Sequence, residues 1–288
     1  MDIATDTLAR LRAARGFVLD MDGTLVLGDR RNHGIRPLPG AIEMTDYLLE
    51  RGLPLVAFTN GTARTPVDYA DALRDAGFSF PPEKIATPAR VAGDYFARQG
   101  LRRIMVMGIE GVWRPIRDAG LEVVTPPFRI EDVTGERQVD AIFAGWFREV
   151  TLDDIEAACN AVWGGAALYS ASMAPFFASA EGRALGSSVA IVSAIRGVTG
   201  CDATVLGKPS VDALHCVADY LGVSAADLVV VGDDPTIEPV MAREAGALAV
   251  GVETGFCRRE DYERAPEAER AELVVHGMDE LFHLYREG

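Results

Sequence analysis

The sequence predicts an α/β protein: a doubly wound parallel-sheet core with a second α/β domain inserted into it. Three observations carry this reading. Short runs rich in Val, Ile, Leu and Phe alternate with helical patterns along most of the 288 residues. Several of these runs are apolar without interruption, as strands covered on both faces must be. The alternation changes rhythm between about 85 and 184 and then resumes. Repeated β-α-β units imply a parallel sheet with helices on both faces.

GFVLD (16–20) reads as a strand that ends on a carboxylate. AIEMTDYLLERG (41–52) reads as a helix, with Ile42, Thr45, Leu48 and Leu49 on one stripe and Gly52 closing it. LPLVAFTN (53–60) is an almost unbroken apolar strand. PVDYADALRDAG (66–77) has Pro in its first turn and ends on Gly, so it is helical. The middle segment carries strands in RRIMVMG (102–108), LEVV (121–124), VDAIFAGW (139–146) and ALYSAS (167–172). Among them TLDDIEAACNAVWGG (151–165) opens a helix with a Thr-x-x-Asp capping box. The first rhythm resumes with a helix over 185–200, a strand TVLG (204–207) and a helix over 210–222. LVVVGDD (228–234), a helix near 237–246, strands ALAVGV (247–252) and AELVV (271–275), and a closing helix from Met278 follow. PEAERAE (266–272) reads as a charged surface segment. The expected domains are 1–84 with 185–288 for the core and 85–184 for the insertion.

With 49% hydrophobic residues the chain can bury a large core. A formal net charge of −15 repels nucleic acid and anionic membranes, which argues against either as a main partner. Cys159, Cys201, Cys216 and Cys257 show no paired spacing, as expected of reduced thiols in a cytoplasmic protein. The first residues lack the charged-then-apolar order of a signal peptide, and no apolar run reaches the roughly 18–20 residues of a membrane span. Of 28 basic residues only Lys84 and Lys208 are lysines. Lys84 reads as surface; Lys208 asks for a reason.

In an open parallel sheet, ligands bind at the carboxyl ends of the strands. The first strand ends in Asp20-Met21-Asp22, the second in Thr59-Asn60-Gly61, TVLG runs into Lys208-Pro209, and LVVVG ends in Asp233-Asp234. Two carboxylates as close as Asp20 and Asp22 repel unless a cation sits between them or one keeps its proton.

These segments resemble the haloacid dehalogenase superfamily of phosphohydrolases. Its D-x-D-G-T signature is matched by DMDGT (20–24), its strand-end Thr by TNG (59–61), its lysine by GKPS (207–210) and its acidic motif by GDD (232–234). The insertion resembles the C2-type cap of the NagD-like, p-nitrophenylphosphatase-like branch. PGAIE, LLERG, TNGTAR and ALRDAG, and the GKPS…LGV…VGD tail, extend the likeness over essentially the whole chain. The resemblance implies a Rossmann-like core with an α/β cap. It also implies hydrolysis of a small phosphorylated metabolite, with Mg²⁺ as cofactor. Caps of this kind take part in dimer contacts in similar proteins, so it points to a homodimer.

Residue by residue, the resemblance makes Asp20 the nucleophile that forms an aspartyl-phosphate and Asp22 the general acid and base. Asp20, the main-chain carbonyl of Asp22, and Asp233 would hold Mg²⁺. Thr59 and the N–H groups near Asn60 and Gly61 would hold phosphoryl oxygens, and Lys208 would bind both phosphate and Asp20. Asp234 would stand behind the direct ligands. The family often carries an Asp where this chain has Glu238, so a site role there stands open against an ordinary helix-start acid. The cap strand that often reads T-N-x-D reads Ser170-Ala171-Ser172-Met173 here, a less polar set without the acid. Trp113, Trp146, Phe176 and Phe177 read as core, and His33 as surface; Arg64 could reach an anionic substrate or stand at a solvated helix start. A phosphotransferase or phosphomutase, and a non-catalytic sensor of a phosphorylated ligand, are the competing readings.

Overall fold

The computed structural model describes residues 5–28, 35–179, 182–255 and 257–286, with backbone alone for 176–179 and 182–184. His33 lies outside the described residues, as do the side chains of Phe176 and Phe177. The chain divides into two units, one of residues 1–59, 69–86 and 208–288, the other of residues 60–68 and 87–207.

The first unit is built on a six-stranded sheet, parallel throughout. Its order is Leu273–Val275, Leu248–Val252, Leu228–Gly232, Gly16–Asp20, Leu55–Phe58, Ile85–Ala86. The first strand is central. The chain winds outward from it through Leu55–Phe58, then returns to its other side with Leu228–Gly232 and winds outward again. That reversal is a topological switch point, and in open parallel sheets ligands bind beside such points, at the carboxyl ends of the strands. All residues of the strands Gly16–Asp20, Leu228–Gly232 and Leu248–Val252 are buried. The helices Ala41–Glu50 and Met278–Arg286 bury Met44, Leu48, Met278 and Leu281 in the same core as Phe17, Leu19 and Val231. Gly52, at φ 65°, ends the helix region as its sequence position predicts. The sixth strand, two residues long, is too short to leave a period in the sequence.

The second unit holds a five-stranded parallel sheet in the order Ala203–Val205, Ala167–Ser170, Ala141–Ala144, Arg103–Met107, Glu122–Val124. Here the structure corrects the reading of TVLG. That strand pairs with Leu168–Ser170 in the second sheet and adds nothing to the first. The helix Ser187–Thr199 goes with it, burying Ile191, Val192 and Ile195 against Ile142, Ala144 and Leu168. The contact boundary therefore falls at Gly207–Lys208, about 20 residues beyond the expected one. The capping box is present: Asp154 N donates to Thr151 Oγ1 (3.2 Å) and Thr151 N to Asp154 Oδ2 (2.8 Å). Trp113 and Trp146, expected in the core, are only half-buried, each beneath a guanidinium, Arg117 and Arg148 respectively.

Candidate active site

Five acidic or basic side chains are buried among the described residues. One, Asp154, is the capping acid. The other four, Asp20, Lys208, Asp233 and Glu238, all lie in the first unit, and three of them form one ion-paired chain. Burying charge is costly unless it is paired, so such a concentration marks a built site.

Asp20 closes the first strand at 8% exposure. Thr24 Oγ1 donates to its Oδ2 (3.2 Å), and the Lys208 ammonium pairs with its Oδ1. The chain turns at once after it: Leu25 N and Val26 N both donate to Met21 O (3.0 Å each), and Gly23 N donates to Val26 O (2.8 Å). Gly23 makes the turn at φ 88°, where an L side chain is strained. The turn gives the two motif acids different surroundings: Asp20 is buried and Asp22 exposed.

Lys208 is 4% exposed. Its Nζ donates to Glu238 Oε1 (2.7 Å) as well as to Asp20, and lies 5.6 Å from the centre of the Phe58 ring. Burial alone would push its pKa down, but the two carboxylates more than offset that and hold it above its ordinary value. Glu238 opens the helix Glu238–Glu244 at 2% exposure, and its Oε2 is buried without a hydrogen-bond partner among the described residues. Burial, with repulsion from Asp20 and Asp233, pushes its carboxyl up to about 8 against the pull of Lys208. One salt bridge cannot raise both partners. Asp20 is what satisfies the ammonium, and Glu238 is the surplus acid. Glu238, left open by the sequence, is in contact with Lys208.

Asp233, 8% exposed, follows the strand Leu228–Gly232 directly. Gly23 and Gly255 both face its carboxyl group, and a Cβ on either would collide with it. Asp234 spends its Oδ1 on its own turn, accepting from Thr236 N (2.9 Å) and Oγ1 (2.7 Å). Thr59, 3% exposed, follows the second strand, and its N–H donates to Ala86 O (3.2 Å). Asn60 and Gly61 continue the chain into the second unit, where Asn60 Oδ1 lies beside Gly207. Lys84, expected at the surface, is half-buried in the turn Pro82–Lys84, which leads into the short strand Ile85–Ala86.

Sequence reasoning missed the loop after Leu248–Val252. Thr254 Oγ1 donates to Gly23 O (2.6 Å), tying that loop to the Asp20 turn, and Gly255 borders Asp233. The signal available was a Thr-Gly pair following an apolar strand, as at Thr59-Asn60-Gly61.

Whether a divalent cation fits the site depends on the donors it offers. No cluster of three or more His, Cys, Asp or Glu side chains is arranged for a metal among the described residues. The set expected here needs only two, Asp20 and Asp233, with one main-chain carbonyl, and Mg²⁺ keeps several waters. Three buried carboxylates against one ammonium leave an excess of hard anionic oxygen, so these residues fit such an ion.

A haloacid dehalogenase-like hydrolase model matches residues 17–122, and a second HAD-hydrolase-like model matches 205–281; together they include Asp20, Thr59, Lys208, Asp233 and Glu238. The acid sugar phosphatase of Staphylococcus epidermidis is 26% identical over 248 residues, 86% of this chain and 89% of that protein. NagD from E. coli superposes with a TM-score of 0.79 at 22% identity, covering 93% of this chain and 98% of NagD. A glycerol phosphate phosphatase of Mycobacterium tuberculosis, solved in complex with magnesium, superposes with a TM-score of 0.78 at 24% identity, covering 94% and 77%. No helix among the described residues is long and apolar enough to cross a membrane. The chain belongs to the haloacid dehalogenase-like hydrolases and shares the fold of NagD.

Proposed function

We propose that the protein hydrolyses a small phosphate monoester with Mg²⁺, through an acyl phosphate on Asp20. The observation that carries this is the burial of Lys208 against Asp20: a lone ammonium, 4% exposed, holds one oxygen of the candidate nucleophile while Thr24 holds the other. In the first step an Asp20 oxygen attacks phosphorus, and the bond to the leaving oxygen breaks as Asp22 gives that oxygen a proton. In the second, water attacks the phosphorus of the aspartyl-phosphate while Asp22 takes a proton from it, which releases phosphate and restores Asp20. Acid–base help of this kind is worth about 10²–10⁴ in rate. The exposure of Asp22 suits a group that exchanges protons with leaving group and water; the burial of Asp20 suits a nucleophile kept from bulk solvent. Lys208 offsets the charge of the phosphoryl group, and Thr59 with the N–H groups of Asn60 and Gly61 binds its oxygens. Asp20, Asp233 and the main-chain carbonyl of Asp22 would hold Mg²⁺, which when bound offsets negative charge on carboxylates and phosphate alike.

The relatives' names, a sugar phosphatase and a glycerol phosphate phosphatase, support a sugar or polyol phosphate as substrate. The test is turnover of p-nitrophenyl phosphate in Mg²⁺ and in EDTA. Wild-type activity should vanish in EDTA, and D20N should be inactive in both. Equal turnover by wild type and D20N would remove Asp20 from the reaction and the proposal with it.

A further inference from the structure

One buried phenol beside this site has no part in the steps above. Tyr262, in the short helix Arg259–Arg264, is 2% exposed. Its hydroxyl lies 3.2 Å from Gly232 O and 3.2 Å from Val252 O. A phenol has a single proton, so it serves one carbonyl at a time or shares the bond between them. The strands Leu228–Gly232 and Leu248–Val252 pair in parallel, and their last paired residues are Gly232 and Gly251. The tyrosine hydroxyl thus supplies a donor just where the ladder between them stops.

Both glycines of that last pair are required by what sits on them. A Cβ on Gly251 would lie 2.6 Å from Tyr262 Cζ, and one on Gly232 would fall inside the Glu238 carboxyl group. Paired residues of neighbouring strands project to the same face of a sheet. Tyr262 and Glu238 therefore lie side by side on one face, over one glycine pair. Burial and the facing acids Asp233 and Glu238 raise the phenol's pKa, so it remains a donor across the physiological range. The peptide that carries the Gly232 carbonyl is the one that joins Gly232 to Asp233. Gly23 and Gly255 leave the Asp233 carboxyl a narrow slot, so a small tilt of that peptide moves the acid out of it.

We propose that Tyr262 is a positioning residue for Asp233, its hydroxyl fixing the Gly232–Asp233 peptide so that the carboxylate is aimed at a divalent cation. This rests on the Mg²⁺ reading above. The test follows thermal unfolding during Mg²⁺ titration of wild type, D233N and Y262F. Wild type should be stabilised by Mg²⁺, D233N should not, and Y262F should need about tenfold more Mg²⁺ for half the effect. A hydroxyl that merely braces the fold would lower the metal-free unfolding temperature and leave the half-saturating Mg²⁺ concentration unchanged. That result, with D233N still unresponsive, overturns the role of Tyr262 and leaves the cation reading intact. Absence of any wild-type response instead defeats the cation reading, and this proposal falls with it. If Y262F does not fold, Y262H and Y262L decide: the imidazole, a donor, should bind Mg²⁺ more tightly than the leucine variant, and equal affinities overturn the assignment.

Discussion

Lys208 stands in a chain that writes almost every other basic residue as arginine. The geometry gives the reason. A guanidinium is a wide planar fork, whereas an ammonium is a compact point charge with three rotatable donors. Lys208 must fit between two carboxylates, beside the Phe58 ring, while almost fully buried. K208R should therefore keep the charge and lose the function. We expect kcat/KM on p-nitrophenyl phosphate to drop at least about 10²-fold, the order seen when one preorganised donor to a developing anion is lost. Near-wild-type kinetics in K208R would show that charge alone, without its placement, is what the site uses. The sequence singled this residue out by its rarity and its GKPS setting, and the structure buries it against Asp20. Glu238 was only half legible, since a Glu at a helix start is ordinary and its contact with Lys208 depends on a strand return 30 residues away.

The smallest element with a function of its own is the turn Met21–Val26. It separates a buried acid from an exposed one within two residues and brings Gly23 against the Asp233 carboxyl and the Thr254 hydroxyl. G23A should fail on both counts, backbone strain at φ 88° and collision with Asp233. We expect a loss of about 1–3 kcal/mol in stability and about 10²-fold in kcat/KM, measured by denaturant unfolding and p-nitrophenyl phosphate turnover. A stability loss with unchanged turnover would show that the turn tolerates displacement of Asp233. At this scale the sequence was informative where a local rule sufficed. The Thr151–Asp154 capping box and the closing Gly52 are short-range features, and both are present. It was uninformative where partners mattered. Periodicity marked 204–207 as extended, but which sheet accepts a three-residue strand is decided by pairing with Leu168–Ser170, a contact that leaves no local trace.

Across the whole molecule, the net charge of −15 is ordinary surface repulsion, softened by solvent and salt. The buried excess in the first unit is not, because three carboxylates, Asp20, Asp233 and Glu238, are buried there with one ammonium, Lys208. That imbalance should make the stability of the metal-free protein depend on pH in a definite direction. The Glu238 carboxyl is raised from an ordinary value of 4.5 to about 8 on folding. A raised carboxyl binds its proton more tightly in the folded chain, so its contribution is full below about 4.5 and is lost as pH rises towards 8. Lys208 is raised from 10.5, so its contribution is full throughout that range and adds no slope there. In a chelator, then, the wild-type unfolding temperature should fall between pH 5 and 8 more steeply than that of E238Q, whose amide keeps an oxygen acceptor for Lys208 and cannot ionise. Comparing the two variants cancels the titration of every other acid. Saturating Mg²⁺ should flatten the wild-type curve towards that of E238Q, since added positive charge near Asp20 and Asp233 lets Glu238 ionise at lower pH. Parallel curves for the two proteins in chelator would mean that Glu238 is already ionised in the folded state and that Lys208 balances it unaided.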